Sequence, residues 1–266
     1  MKARFLVIGS SGTLGSAFRR ILGREAAGFD LPEFDVTDPV AVGEAIRETG
    51  PEWVLNCSAV TDVDDCERDP RKAWSVHSDA VILLAAAGPK LVTFSTDQVF
   101  SGPRSMPWLE SDRPDPPNEY AKSKLAGEQA ALERPGSLVV RTSWLFGGDR
   151  GLVPFLANRI ASGSGVRAVV DQEACITYAP DLAACVLSMI RQGASGLFHL
   201  CSPGGVTPFG LARYLSGERE AGIIPVRWTD LGLPARRPAY SVLGTLSGYV
   251  LPGWRDAIDR WRRGDD

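Results

Sequence analysis

The sequence predicts an α/β fold, a doubly wound parallel sheet with helices on both faces and a smaller C-terminal part. Through the first two thirds of the chain, short apolar runs alternate with helical patterns, which is typical of βαβ units. A glycine-rich turn follows the first apolar run, and right-handed crossovers then place helices on both faces of the sheet. We expect residues 1–146 to form the main domain. Residues 147–266 are expected to form mainly the smaller part, with segments that return to the main sheet.

Each element is assigned from the spacing of its apolar residues. Short continuous apolar runs bounded by turn residues predict buried strands, and apolar residues at helical spacing predict helices. The predicted strands are Phe5–Ile8, Trp53–Asn56, residues 90–95 and residues 138–141. The predicted helices are residues 14–22, 40–48, 78–87, 120–132, 181–190 and 208–215, and Trp254–Arg263, which reads as amphipathic.

A long loop is predicted between two of these elements. Residues 101–118 contain five prolines and several acids, a composition that favours a loop over a helix or strand. Structureless loops longer than about 12–15 residues frequently cover active sites. The charged residues 68–72 are expected to form a solvated turn.

Composition excludes several classes of protein. The net charge of −3 argues against a generally basic nucleic-acid binder. No apolar run reaches the ~18–20 residues that span a bilayer, and the apolar part of the N-terminus is too short for a signal peptide, so we expect a cytoplasmic protein. The two histidines, His77 and His199, lack metal-ligand spacing and are expected to make local hydrogen bonds. The five cysteines contain no CxxC and are expected to be buried thiols.

The turn after the first strand reads Gly9-Ser-Ser-Gly12-Thr-Leu-Gly15. Gly9 permits a tight turn, Gly12 lets the backbone approach a pyrophosphate at the helix N-terminus, and Gly15 allows close packing of the helix on the strand. In this strand–turn–helix context the motif predicts a Rossmann domain that binds a dinucleotide. The alternative is a glycine-rich turn that binds nothing. The predicted cofactor contacts in this turn are Gly9, Ser11, Gly12, Thr13, Leu14 and Gly15.

Acidic residues after the second strand are candidates for the adenosine end of the cofactor. Asp30 lies fifteen positions after Gly15 and is expected to accept from the ribose hydroxyls. No arginine follows it directly, and a carboxylate there repels a 2′-phosphate, which favours NADH over NADPH. The alternative is a solvated turn acid. Asp35 and Val36 are placed beside adenine, and Asp38 is expected to cap the following helix.

A second group of residues indicates carbonyl chemistry. Tyr120 and Lys124 lie one helical turn apart on one face, after a strand that ends in Ser95-Thr96. The lysine ammonium lowers the pKa of the phenol and holds the nicotinamide ribose, the phenol protonates a carbonyl oxygen as hydride arrives, and Ser95 or Thr96 adds a hydrogen bond to that oxygen. Alone, the Tyr-x-x-x-Lys spacing would fit the start of a surface helix.

Together, these and further sequence motifs resemble those of the extended short-chain dehydrogenase/reductases and, within them, the dTDP-4-dehydrorhamnose reductase family. The likeness runs through most of the chain. It is carried by Gly9–Gly15, Asp35-Val-Thr-Asp38, residues 56–67 (NCSAVTDVDDCE), Ser95-Thr-Asp-Gln-Val-Phe100, residues 120–128 (YAKSKLAGE), Arg141-Thr-Ser-Trp144, Asp171-Gln172 with Thr177, and Arg237-Pro238 with Ser241 and Leu243.

The resemblance implies reduction of a 4-keto-6-deoxy sugar nucleotide with NAD(P)H. It implies Tyr120 as the acid, Lys124 as its partner and Thr96 as the third catalytic residue. It also places Cys57, Ser58, Ala59 and Ser95 along the cofactor. The positions that it assigns to the substrate are Thr61, Thr96, Gln98, Val99, Trp144 and Arg237.

Departures from the family pattern fall on the substrate side. Tyrosines are usual at Val60 and Gln98, asparagine at His77 and before the final serine at Tyr240, and glycine and proline at Ala174 and Ile176. An asparagine expected near residues 152–153 is absent. The pattern favours a working reductase with an altered substrate, either another keto-sugar nucleotide or a carbonyl compound outside that class.

The sequence argues against two other functions on the same scaffold. A non-catalytic subunit that binds NAD(P)(H) has no physical need of Thr96, Tyr120 and Lys124. The other alternative is an epimerase or dehydratase; dehydratases of this type usually place an acidic pair after the threonine, whereas here Asp97 is followed by Gln98. Reduction is therefore favoured. NADH against NADPH and a homodimer are left open, and no motif indicates a metal.

Overall fold

The computed structural model describes residues 2–217 and 222–264 and is built on ten strands. They are Phe5–Ile8 (β1), Ala26–Phe29 (β2), Trp53–Asn56 (β3), Lys90–Thr96 (β4), Leu138–Thr142 (β5), Leu145–Phe146 (β6), Val166–Val169 (β7), Thr177–Tyr178 (β8), Gly196–His199 (β9) and Ile223–Val226 (β10). Six of them form one parallel sheet in the order β2-β1-β3-β4-β5-β9. The predicted doubly wound parallel sheet is therefore confirmed.

Helices cover both faces of this sheet. They are Thr13–Leu22 (α1), Pro39–Thr49 (α2), Val63–Arg68 (α3), Pro70–Trp74 (α4), Ala80–Ala86 (α5), Glu119–Leu132 (α6), Leu152–Ala161 (α7), Ala179–Arg191 (α8), Pro208–Ser216 (α9) and Trp254–Arg263 (α10). A π-helical turn, Ser75–Asp79, joins α4 to α5. Asp38 caps α2 as predicted, because its carboxylate accepts the Val40 N–H at 2.8 Å.

The central strands β1, β3, β4 and β5 are largely apolar and almost entirely buried, because helices cover both faces of the sheet. In β1, Val7 packs on the layer formed by α1 and α8, whereas the next residue, Ile8, packs on the layer formed by α2 and α5. Alternation of this kind follows from the two-residue period of a strand. Burial on both faces explains why the strands appear as short continuous apolar runs in the sequence.

The smaller part of the chain has its own apolar core. Parts of α7, α9 and α10 enclose it, with Leu156, Leu211 and Ile258 fully buried. Two segments after residue 147 also join the main layers, since β9 extends the sheet and α8 packs on α1. The division at residues 146 and 147 stays a prediction.

The expectation for residues 68–72 was wrong. Arg68 ends α3 and Pro70 begins α4, with only Asp69 between the two helices. Asp69 accepts the Lys72 N–H at 3.3 Å, and Pro70 occupies the first helical position, where its missing N–H costs nothing. This capped start turns the charged stretch into a helix.

Residues 101–118 form the predicted loop, and polar and aromatic contacts fix it. Glu110 accepts hydrogen bonds from the His199 N–H at 3.0 Å, the Thr245 hydroxyl at 2.6 Å and the Leu246 N–H at 2.9 Å. Trp108 stacks on Phe100 with ring centroids 4.8 Å apart. The loop is thereby tied to the C-terminal segment. Across the described residues, no helix combines the length and apolar character needed to cross a bilayer.

Candidate active site

The glycine-rich turn lies at the carboxyl edge of the sheet, against the end of β3. Gly9 has a φ of 73°, and a Cβ there would approach the Cys57 carbonyl carbon to 2.8 Å. A Cβ on Gly15 would overlap the Gly9 carbonyl oxygen. Side chains are therefore excluded at both positions, and α1 begins immediately beside the turn.

The start of α1 suits a dinucleotide pyrophosphate. Gly12 is the N-cap and offers no side chain to the first N–H groups of the helix, which remain available to an anion. A cleft of about 300 Å³ opens beside this helix end, with Thr13, Arg20 and Arg150 in its lining. At the other end of the site, the Ser95 hydroxyl is buried without a hydrogen-bond partner among the described residues. The residues present therefore fit a nicotinamide dinucleotide.

Asp30 is bound to the glycine-rich turn. Its Oδ2 accepts the Ser11 N–H at 2.7 Å and the Ser11 hydroxyl at 2.6 Å, and its Oδ1 accepts the Leu31 N–H at 2.9 Å. Burial raises the pKa of this carboxyl, but these hydrogen bonds outweigh burial and leave the pKa below its usual value. An ionised carboxylate thus stands at the end of β2, in contact with Ser11.

Asp35 and Val36, the residues predicted beside adenine, lie in a local turn and in the apolar core, respectively. Asp35 accepts the Thr37 N–H at 2.9 Å and the Thr37 hydroxyl at 2.8 Å, and these bonds lower its pKa. The Val36 side chain is buried among the apolar residues beside α2. Asp35 stabilises a local turn, and the structure gives neither residue a more specific role.

Thr96, Tyr120 and Lys124 are brought together where β4 ends and α6 begins. The Thr96 hydroxyl accepts the Gln98 N–H at 3.1 Å and donates to the Asp97 carboxylate at 3.1 Å. It also lies within hydrogen-bond reach of the Tyr120 phenol. Asn118 caps α6 by accepting the Ala121 N–H at 2.8 Å, which orients the turn that carries Tyr120.

The pKa of Tyr120 differs from the sequence expectation. Burial raises it, and the negative charge of Asp97 raises it further, while the hydrogen bond with Thr96 opposes both effects. The expected lowering by Lys124 is not seen, because burial and the neighbouring carboxylate dominate. The phenol therefore carries its proton at neutral pH.

Lys124 points toward the end of β3. Burial lowers the pKa of its ammonium to about 8, and the neighbouring groups Cys57, Cys66 and Glu128 oppose this lowering. Within the described ranges, no protein acceptor forms a hydrogen bond with it. Burial also raises the pKa of the Cys57 thiol, so this thiol is protonated. The Ser58 hydroxyl donates to Asn56 at 2.6 Å, and Ala59 is exposed.

Asp97 is a buried carboxylate. From the sequence it was assigned only to the Ser95–Phe100 motif, with no role predicted for it. It accepts from the hydroxyls of Thr96 and Ser241. Burial raises its pKa to about 6, against the hydrogen bonds from Ser241, Ser143 and Thr96. Its position next to Thr96 at the end of a buried strand was the available signal.

The structure brings only some of the predicted substrate-binding residues to the site. Thr61 is exposed and Trp144 half-buried; Trp144 has a φ of 20°, which bulky residues rarely adopt. The Gln98 side chain accepts from the Asn118 amide at 3.0 Å. Val99 is fully buried beside Phe100, so the structure does not bring its side chain to the site.

Arg237 forms a bidentate ion pair with Asp64. Two guanidinium nitrogens donate to the two carboxylate oxygens at 2.7 Å each, and the Trp228 ring lies 4.2 Å from the guanidinium carbon. The pair lowers the pKa of Asp64, chiefly through the Arg237 hydrogen bonds. No local pattern in the sequence marks this contact across 173 positions.

Both histidines make the local hydrogen bonds expected of them. His199 Nδ1 lies 2.8 Å from the Gly244 carbonyl oxygen. His77 Nε2 accepts the Val60 N–H at 3.0 Å, and its Nδ1 lies 2.9 Å from the Ser123 hydroxyl. Ala174 and Ile176, two further positions that differ from the family pattern, are fully buried.

The fold and this site define the chain as an extended short-chain dehydrogenase/reductase, a nicotinamide-dependent oxidoreductase. More specifically, it belongs to the family described as the RmlD substrate binding domain, whose model matches residues 3–262.

Relatives and solved structures agree with this assignment. The chain is 37% identical to a dTDP-4-dehydrorhamnose reductase of Mycobacterium tuberculosis, covering 96% of this chain and 91% of that protein. It is 34% identical to a probable dTDP-4,6-dihydroxy-2-methyloxan-3-one 4-ketoreductase of Streptomyces antibioticus, covering 97% and 88%. The crystal structure of a Bacillus anthracis dTDP-4-dehydrorhamnose reductase in complex with NADP superposes with a TM-score of 0.93 at 29% identity, covering 99% of this chain and 100% of that chain.

Proposed function

We propose that this chain reduces the 4-keto group of a dTDP-linked 6-deoxy sugar, with dTDP-4-dehydrorhamnose as the first candidate. The observation that carries the proposal is the group formed by Thr96, Tyr120 and Lys124 at the carboxyl edge of the sheet. Relatives that align over nearly the whole chain are named as reductases of such substrates.

In the proposed reaction, Tyr120 supplies the proton. Its phenol is protonated at neutral pH because burial and Asp97 raise its pKa. It donates to the substrate carbonyl oxygen as that oxygen gains negative charge. The Thr96 hydroxyl is held by the Gln98 N–H and Asp97 and lies beside the same position, where it orients the phenol.

Lys124 is proposed to hold the cofactor ribose and to return the proton to Tyr120. Its ammonium is free of protein hydrogen bonds among the described residues, so its donors are available to ribose hydroxyls. Gly12, Thr13 and the start of α1 would hold the pyrophosphate. When bound, the reduced nicotinamide supplies the hydride.

The test is turnover by Tyr120→Phe. With dTDP-4-dehydrorhamnose and NADH, we expect turnover to fall by about 10²–10⁴-fold, while the dissociation constant of NADH stays within twofold of the wild-type value. Loss of absorbance at 340 nm measures turnover, and quenching of tryptophan fluorescence measures binding. A variant with wild-type turnover would remove Tyr120 from the mechanism.

For the cofactor, we propose a preference for NADH. The support is the ionised carboxylate of Asp30, which stands against Ser11 at the end of β2 and would repel a 2′-phosphate. We expect Asp30→Asn to raise kcat/KM with NADPH relative to NADH by about tenfold, the effect of removing roughly 1.4 kcal/mol of repulsion. An unchanged ratio would show that Asp30 does not select the cofactor.

A different carbonyl substrate is the main alternative, and the departures at Gln98 and Tyr240 favour it. Gln98 is held by Asn118, and the Tyr240 carbonyl oxygen accepts from the Trp108 indole at 3.2 Å. A panel of keto-sugar nucleotides and simple ketones decides between them. Cofactor binding without turnover on the panel would favour the non-catalytic subunit.

We also propose a homodimer and a cytoplasmic location. Ile82 and Leu132 are exposed apolar residues on α5 and α6, the kind of surface that a second copy covers. Sedimentation velocity at micromolar concentration tests the dimer, and Ile82→Lys should shift it toward monomer. Cell fractionation tests the location.

A further inference from the structure

A buried histidine, His77, lies directly behind the proposed acid. It sits on the π-helical turn Ser75–Asp79 and is 2% exposed. Turns of this type are uncommon and frequently occur at functional sites. The His77 ring meets the Tyr120 ring edge to face, with centroids 5.4 Å apart and planes at 88°.

The hydrogen bonds of His77 allow one protonation state. The Val60 N–H donates to Nε2 at 3.0 Å, so this nitrogen carries no proton. The proton is therefore on Nδ1, which donates to the Ser123 hydroxyl at 2.9 Å. The Ser123 hydroxyl in turn donates to the Tyr120 carbonyl oxygen at 2.9 Å. The chain of bonds runs in one direction, from Val60 to the first turn of α6.

The imidazole is held neutral by its surroundings. A second ring proton would face the Val60 N–H, which is also a donor. Burial, together with the positive charge of Lys124, lowers the pKa of His77 to about 2, against the hydrogen bond from Val60. His77 therefore does not carry protons during a catalytic cycle at neutral pH.

The π-helical turn and α6 are in direct backbone contact at this point. A Cβ on Gly127 would overlap the His77 carbonyl oxygen, so the glycine lets the helix approach the turn. The ring and the backbone of His77 thus both touch α6, the helix that carries Tyr120 and Lys124.

We propose that His77 is a positioning residue that fixes Tyr120 relative to the segment after β3. The ring nitrogens join Val60, which follows the segment proposed to run along the cofactor, to the turn that carries the phenol. Shifts of about 1 Å in a reacting group can cost about 10²-fold in rate. The inference rests on the proposed role of Tyr120 as the acid, and it assigns to His77 a function in geometry, with no proton transfer.

The experiment is a double-mutant cycle between His77→Phe and Tyr120→Phe. His77→Phe keeps a ring of similar shape against Tyr120 but makes neither hydrogen bond. We expect it to lower kcat about 10–100-fold in the wild-type background and less than about twofold in the Tyr120→Phe background, because the group it positions is then absent. Equal losses in both backgrounds, or wild-type kcat in His77→Phe, would overturn the proposal.

Two further variants separate positioning from general stability. His77→Asn places an amide that both donates and accepts, as the family pattern expects at this position, and it should recover at least half of the lost log kcat. Thr49→Val removes a buried hydrogen bond to the Ala45 carbonyl oxygen in α2 and should leave kcat unchanged. Failure of His77→Asn to exceed His77→Phe would show that packing, and not hydrogen bonding, matters at residue 77.

Nitrogen-15 NMR of the histidine rings tests the same geometry without turnover. The chain has two histidines, so His77→Asn identifies the His77 signals by their loss. We expect His77 to be in the Nδ1–H form from pH 5 to pH 9 in the wild-type protein. Titration in this range, or the Nε2–H form, would overturn the proposal. If no substrate is reduced but this form is found, the proposed reaction fails and the hydrogen-bonded link stands.

Discussion

Removing Arg141 should destabilise the fold far more than removing a surface arginine. Arg141 on β5 and Glu128 on α6 form a bidentate ion pair whose side chains are 2% and 3% exposed. Arg141→Met leaves the Glu128 carboxylate buried without its partner, which costs about 3–5 kcal/mol. Unfolding entropy for a chain of 266 residues is about 0.56 kcal/mol/K, so Tm should fall by about 5–9 °C.

Thermal unfolding followed by circular dichroism measures this loss. The matched control is Arg4→Met, which removes an exposed pair with Glu52 whose side chains are 48% and 47% exposed and should cost less than about 1 kcal/mol. The double variant Arg141→Met/Glu128→Leu should recover more than half of the loss, because no charge then stays buried. Equal Tm values for the two arginine variants, or no recovery in the double variant, would refute the reasoning.

Two other perturbations test the glycine-rich turn and Lys124. Gly15→Ala should abolish binding of NADH in a fluorescence titration, because its Cβ would overlap the Gly9 carbonyl oxygen. The control Gly43→Ala, in α2 with open space around it, should bind NADH normally and gain about 0.5–1 kcal/mol in unfolding free energy. Comparable binding by both variants would contradict the close approach. Burial lowers the pKa of Lys124 from 10.5 to about 8, so unfolding takes up a proton at this side chain between these values, and the Lys124 contribution to the unfolding free energy rises with pH from 8 to 10.5. Buried thiols such as Cys57 and Cys66, whose pKa values are raised, contribute in the opposite direction in both proteins. Lys124→Met should lack this rise in urea denaturation at pH 8 and pH 10.5, and parallel behaviour of the two proteins would show that the ammonium is not buried.

The regular elements could be predicted because their local signals agree with their surroundings. Phe5–Ile8 and Trp53–Asn56 are buried on both faces, so continuous apolar runs mark them in the sequence and their bounds were predicted correctly. The amphipathic pattern of Trp254–Arg263 likewise predicted α10 correctly. Burial on both faces of a sheet leaves a continuous apolar run in the sequence, and burial of one helix face leaves a periodic apolar pattern.

Two of the elements that were missed, β9 and the π-helical turn, depend on partners far away in the chain. β9 contains Gly196 and His199 and joins the sheet only through β5. The π-helical turn has no periodic pattern of its own, and its His77 backbone lies against Gly127 of α6. Neither element carries a signal that a local reading can detect.

The proposed catalytic residues could be predicted from the sequence because their spacing fixes their positions on a helix and at a strand end. Tyr120 and Lys124 share a helix face, and Thr96 ends a neighbouring strand. The long-range contacts that determine the environment of these residues could not be predicted from the sequence. Ser241 approaches Asp97 from 144 positions away, and this contact exists only after the C-terminal segment has folded over the sheet.

Polar contacts, more than apolar packing, determine where α6 presents its side chains. Three positions along the helix bond to other segments: Asn118 donates to the Gln98 side chain and the Arg236 carbonyl oxygen, Ser123 joins the helix to His77, and Glu128 pairs with Arg141. Apolar contact tolerates small rotations of a helix, whereas hydrogen bonds weaken steeply when their angles change. A helix held by three such bonds has little freedom to slide or rotate. This accounts for polar residues being buried on α6 and places the phenol in a fixed relation to the edge of the sheet.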